Sequence, residues 1–185
     1  MTTAIKSTAV GCSVAAVLAM VATFHPNELR TSQAGLELLA GYEDCRLAAY
    51  KDHVGVPTIG VGSTKGVCMG QVIDVAKAAE MFVRDVREAE QCVITHFNGK
   101  AMPQSVFDST TSLVYNNGCY GTRWNKKANR PTWIQRYAVA EDWSNVCARH
   151  MDFVNAGGQR SQGLVNRRTK EIQHCVSYRI SGNGL

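Results

Sequence analysis

The chain has 185 residues, enough for one domain or for two small lobes that share a core. Its 45% hydrophobic and 19% charged residues exclude a disordered chain. The net charge of +5 comes from scattered basic residues without a helix-turn-helix, zinc-finger or RNA-binding signature, so nucleic acid is not the expected partner.

Lys6 precedes an uncharged run, TAVGCSVAAVLAMVATF, from Thr8 to Phe24. The run is close to the lower limit for a membrane-spanning helix, and its Ala, Gly, Ser and Thr content makes insertion marginal. Ala19 and Ala22 are one residue too far apart for an A-x-A cleavage site. Lipoprotein processing at Cys12 is excluded because the apolar run follows that cysteine. The expectation is a weak, uncleaved anchor that leaves the N-terminus inside and the body outside. The polar stretch HPNELRTSQ around Pro26 is a linker.

Ser32 caps a helical pattern, Ala34, Leu36, Leu38 and Leu39, expected to end near Cys45. The stretch AYKDHVGVPTIGVGSTKGV then alternates apolar and polar residues around glycines, as short antiparallel strands do. Asp74 caps a long helix carrying Val75, Ala79, Phe82, Val83, Val86, Ala89 and Val93 at helical spacing. Pro103 opens another helix that stops at Asn116-Asn117-Gly118. Further apolar sets surround Trp133, Trp143 and Leu164. The expected fold class is α+β: a small helix-and-sheet lobe, a long connecting helix, and a larger helical lobe, with a ligand cleft between them.

Two carboxylates stand out. Glu43 lies at the end of an apolar-striped helix, a setting that suits a general acid. Asp52 follows a turn between Lys51 and His53, in polar surroundings. Such a pair, facing across a cleft, is what glycoside hydrolysis needs, and the Thr58 hydroxyl could hold the water. Spacing alone leaves a charged surface hairpin equally open. His53, His96, His150 and His174 form no Ser-His-Asp pattern and have surface or core roles. Trp124, Trp133 and Trp143 are expected in the core, and Arg167 and Arg168 over a helix face. Seven cysteines, with no C-x-x-C pair and no histidines at ligand spacing, argue for disulfides rather than structural zinc.

Taken together, E-x8-D-x5-T with YKD and TIGVG, the long connector, YNNG and GLVNRR resemble the phage-type, T-even-like lysozymes of glycoside hydrolase family 24. The resemblance covers Gln33 to about Cys175. It implies a lysozyme-like fold, with residues 1–31 as signal-anchor and linker and 32–185 as the lysozyme domain. Within that domain, 32–73 would carry the catalytic helix and small sheet, 74–98 the connecting helix, and 99–185 the helical lobe. It implies a muramidase that cuts the β-1,4 bond between N-acetylmuramic acid and N-acetylglucosamine with inversion. Glu43 would be the acid, with Asp52 and Thr58 placing water, and no metal or other cofactor would be needed. Ser63 replaces the family's histidine after TIGVG, which implies loss of a local salt bridge. Asn116 and Asn117 would lie near the cleft and hydrogen-bond sugar amides.

Cys12 within the anchor and Cys45 beside Glu43 further resemble the signal-anchor-release endolysins. That resemblance implies a monomer exported by the host secretion machinery and held in the inner membrane facing the periplasm. Release to the periplasm would let Cys12 bond Cys45 by thiol–disulfide exchange, with Cys68 as a possible earlier partner. On the family fold, Cys92 would pair with Cys175 and Cys119 with Cys147. The partners implied are bacterial peptidoglycan and the host inner membrane. Two competing readings are a lytic transglycosylase, which needs no water-placing carboxylate, and a non-catalytic peptidoglycan-binding module.

Overall fold

The structure, a computed structural model, describes residues 12–52 and 55–178. His53 lies outside the described residues.

The first helix, α1 (Val14–Phe24), begins where the Ser13 side chain accepts from the Ala16 N–H. The anchor expected over Thr8–Phe24 is therefore described only from Cys12 onward. No helix among the described residues is long and apolar enough to cross a membrane. In the structure α1 packs on the body. Val17, Leu18 and Val21 are buried in one cluster with Leu36, Leu39, Phe82 and Val86.

Helix α2 (Gln33–Ala40) starts at Ser32, whose hydroxyl accepts from the Gly35 N–H. It stops at Gly41, several residues before Cys45. Its start is fixed from behind by two buried carboxylates. Glu90 accepts from both the backbone N–H and the hydroxyl of Thr31, each at 2.6 Å. Asp108 accepts from the Ser32 N–H at 3.0 Å and its hydroxyl at 2.5 Å. A Cβ on Gly35 would lie 2.6 Å from Asp108 Cγ, so this close approach requires glycine. Burial pushes the Asp108 carboxyl up, but donors on His174, Ser32 and Gln104 outweigh it and hold it below its usual range.

Strands β1 (Cys45–Lys51) and β2 (Pro57–Val61) pair antiparallel, Tyr50 opposite Thr58 and Cys45 opposite Val61. Helix α3 (Val75–His96) follows Asp74, whose carboxylate accepts from the Lys77 N–H. It touches both cores, with Phe82 and Val86 in the first cluster and Cys92 and Val93 in the second. Ser63 sits against it and donates to Asp85 at 2.5 Å. A hydrogen bond from a neutral hydroxyl to a carboxylate thus joins loop and helix where a salt bridge was expected to be lost.

Beyond a short 3-10 turn, α4 (Gln104–Asn117) runs nearly buried through the helical lobe and ends at Gly118. Around it lie α5 (Cys119–Arg123), the β3–β4 ribbon (Trp124–Asn125 with Arg130–Pro131), α6 (Trp133–Val139) and α7 (Trp143–Ala148). A second ribbon, β5–β6 (Asn155–Ala156 with Gln159–Arg160), turns at Gly157-Gly158 and leads into α8 (Gln162–Cys175). Trp133 is not in the core: it is 42% exposed, with Arg136 4.5 Å from its ring centroid.

All four lobe cysteines pack in or against one core, and helix packing decides their partners. The pairing Cys92–Cys175 and Cys119–Cys147 is not formed. The start of α5 meets α3, which brings Cys92 and Cys119 within 5.8 Å between Cα atoms. The end of α8 meets α7, which brings Cys147 and Cys175 within 5.7 Å. A non-reducing proteolytic map should yield Cys92–Cys119 and Cys147–Cys175 peptides. Replacing Cys92 and Cys119 together by serine should cost about 3 kcal/mol in urea unfolding.

Candidate active site

Three elements converge on one cleft of about 640 Å³ between the lobes. Its walls include Tyr42, Glu43, Asp52, Thr58, Tyr115 and Asn116. Glu43 comes from the turn after α2, where its N–H bonds the Ala40 carbonyl at 3.0 Å. Asp52 follows β1, and its Oδ1 accepts from the Val56 N–H at 2.8 Å, closing the hairpin turn. Thr58 lies on β2 and donates to the Val56 carbonyl at 3.0 Å. The hairpin therefore presents Asp52 and Thr58 side by side, opposite the end of α2.

The apolar setting expected for Glu43 is not what the fold supplies. Arg167 Nη1 donates to Glu43 Oε1 at 2.9 Å. On the other side, Glu43 Oε2 lies 2.9 Å from where a Cβ on Gly62 would stand. Gly62 also has φ +78°, a conformation L side chains resist. One oxygen of Glu43 is thus engaged by a guanidinium, and the other lies close to a glycine backbone.

Arg167 and Arg168 do not cover a helix face. They are 4% and 1% exposed, and both contact Glu171, which is 0% exposed. The sequence gives one retrospective signal for this: Arg167, Glu171 and Cys175 recur every four residues, on a single side of α8. Tyr115 is a second residue whose place the pattern missed. Its hydroxyl donates to the Val61 carbonyl at 2.7 Å, joining α4 to β2 across the cleft floor. Burial, and then the charges of Glu43 and Asp85, push its phenol well above the usual range, so it stays a donor.

Asn116 and Asn117 are separated by the structure. Asn116 lines the cleft and accepts from Arg168 Nη2. Asn117 instead donates to the Thr122 hydroxyl at 3.1 Å and is absent from the cleft wall. Cys45 opens β1, two residues after Glu43, and is disulfide-bonded to Cys12, with 5.3 Å between Cα atoms. Cys68 is exposed and unbonded. No group of His, Cys, Asp and Glu among the described residues could hold a metal ion.

The sequence profile of the phage lysozymes matches residues 40–171, which include Glu43, the hairpin, α3, α4 and Arg167. The chain belongs to the phage lysozyme family. It is 37% identical over 177 residues to the SAR-endolysin of Escherichia phage P1, covering 93% of this chain and 96% of that one. The crystal structure of the active form of P1 phage endolysin Lyz superposes with a TM-score of 0.83 at 35% identity, covering 94% and 98% of the two chains. The secreted inactive form of the same endolysin gives a TM-score of 0.59 at 32% identity, covering 84% and 99%. As a lysozyme of the phage endolysin kind, the chain is a peptidoglycan-hydrolysing enzyme.

Gly62→Ala tests the fit around the Glu43 carboxyl. The added methyl must displace Oε2 and strain the backbone, so peptidoglycan cleavage should fall on the order of tenfold or more. Stability should drop by about 1–3 kcal/mol. Turnover measured beside a thermal melt separates the two effects.

Proposed function

We propose that this phage lysozyme is a muramidase that hydrolyses the β-1,4 bond between N-acetylmuramic acid and N-acetylglucosamine. The observation that carries the reading is the meeting of Glu43, Asp52 and Thr58, from separate elements, on the wall of one interlobe cleft. Glu43 gives its proton to the glycosidic oxygen as the bond to the anomeric carbon breaks. Water attacks that carbon from the opposite face and passes a proton to Asp52, while Thr58 helps hold the water. With Glu43 Oε1 accepting from Arg167, the proton to be donated resides on Oε2. No covalent intermediate forms, and the anomeric configuration inverts.

Control of the enzyme follows from α1. The segment is apolar on all sides and suits a bilayer as well as a protein groove. While it is held in the host inner membrane after export, Cys12 is out of reach of the body, and Cys45 bonds Cys68. On release to the periplasm, the Cys12 thiolate attacks the Cys45 sulfur, the Cys12–Cys45 bond forms, and Cys68 leaves as a thiolate. The bonded pair seen here, the unbonded Cys68, and the greater likeness to an active than to a secreted inactive relative all support this order.

The test is clearing of outer-membrane-permeabilised Gram-negative cells, with reducing ends counted in the digest. The parent should clear and release reducing sugar. Glu43→Gln should lose at least about 100-fold, and Cys12→Ser should clear poorly. Products ending in 1,6-anhydro sugar would make the enzyme a lytic transglycosylase. No clearing by the parent under oxidising or reducing conditions would leave a binding module.

A further inference from the structure

Behind the cleft, α8 carries a buried cluster of charge of which only Arg167 touches a reacting residue. Glu171 is 0% exposed, and its two oxygens serve two guanidiniums. Oε1 accepts from Arg167 Nε at 3.2 Å and from the Ser112 hydroxyl at 2.7 Å. Oε2 accepts from Arg168 Nη1 at 2.5 Å. Arg167 reaches Glu43 Oε1 from the same guanidinium, and Arg168 reaches Asn116 on the cleft wall. Each arginine therefore has one edge on Glu171 and the other on a cleft residue.

We infer that Glu171 is a positioning residue: by fixing Arg167 it sets which oxygen of Glu43 faces the bond to be cut. This inference rests on the muramidase reading. Two arginines adjacent in sequence and both buried would repel one another without the carboxylate between them. Their convergence on a wholly buried glutamate is what allows either to sit behind the cleft. The orientation of Arg167 is also over-determined. Its guanidinium carbon stands 4.7 Å from the Tyr42 ring centroid, its Nε bonds Glu171, and its Nη1 bonds Glu43. Its Nη2 is buried with no hydrogen-bond partner among the described residues. A guanidinium free to choose would not leave a buried donor unpaired, because that costs stability. Arg167 is held where Glu171 and Glu43 need it, not where its own donors are best satisfied.

The chemical consequence concerns a single atom. With Oε1 tied to Arg167, Oε2 is the oxygen left to carry the proton. If Arg167 swings away, the carboxyl can rotate and present either oxygen, and a displacement near 1 Å is enough to lose much of the rate. The change concerns the oxygen presented to one bond, a step separate from binding the strand, so substrate binding should change little.

The experiment measures kcat and KM on soluble glycan strands for the parent, Glu43→Gln, Glu171→Gln, Arg167→Lys and the Glu171→Gln/Arg167→Lys double variant, each checked for folding by circular dichroism. Glu171→Gln keeps the size of the side chain and removes its charge. It should lower kcat on the order of tenfold or more with KM within about twofold. In the Arg167→Lys background it should add little further loss, because both changes break one chain of contacts. A folded Glu171→Gln with parental kcat, or losses that multiply independently, would overturn the inference while leaving the muramidase reading intact. A parent that releases no reducing ends, equal to Glu43→Gln, would remove the reading and the inference together. If Glu171→Gln does not fold, Ser112→Ala decides: it removes one donor to Glu171 Oε1 and should cut kcat about threefold at unchanged KM. A parental kcat in Ser112→Ala would then overturn the inference.

Discussion

The fold of this lysozyme is organised around holding one carboxyl group, that of Glu43, between a glycine backbone and a buried guanidinium. Each contact depends on a different part of the chain. Gly62 lies just past β2, whose end is joined to α4 by the Tyr115 hydroxyl. Arg167 lies on α8, packed against α4. Helix α2, which leads into the turn that carries Glu43, is fixed at its start by Glu90 on α3 and Asp108 on α4. Helices α3 and α4 are thus the common frame for a cleft residue in the turn after an eight-residue helix.

Helix α1 is an uncharged segment that the structure shows docked on the body. It has no charged residue and is rich in alanine, so neither a bilayer nor a protein core is excluded by its composition. Docked on the body, Val17, Leu18 and Val21 leave water, each contributing about 1.5–3 kcal/mol when fully buried. Phe24 stays 64% exposed at the end of the same helix, so docking leaves part of its apolar surface in water. The Cys12–Cys45 bond makes docking local to Glu43, because Cys45 is the first residue of β1 and pairs with Val61 of β2. The residue bonded to the start of α1 thus belongs to the same hairpin that leads to Asp52 and Thr58.

What could be read from the sequence was mostly local. Ser32 and Asp74 announce their helices because capping is a contact over three residues. The glycines around β2 announce the hairpin, and the motif around Glu43, Asp52 and Thr58 points to its family. What could not be read depends on contacts distant in sequence. Arg167 looks like a surface residue until Glu43, 124 positions away, is beside it. Asn116 and Asn117 look equivalent, yet the step of about 100° between neighbouring helix positions sends one to the cleft wall and the other to Thr122. The lobe disulfides obey helix packing, and nothing in the spacing of the four cysteines distinguishes one pairing from another.

In the proposed reaction Asp52 serves water rather than sugar. Proton NMR of the first products from a glycan strand reports it directly, because the anomeric signal appears before mutarotation. The new reducing end should be released as the α-anomer, the inverted product of direct water attack. Release of the β-anomer would mean retention through a second displacement, and would contradict the role given to Asp52.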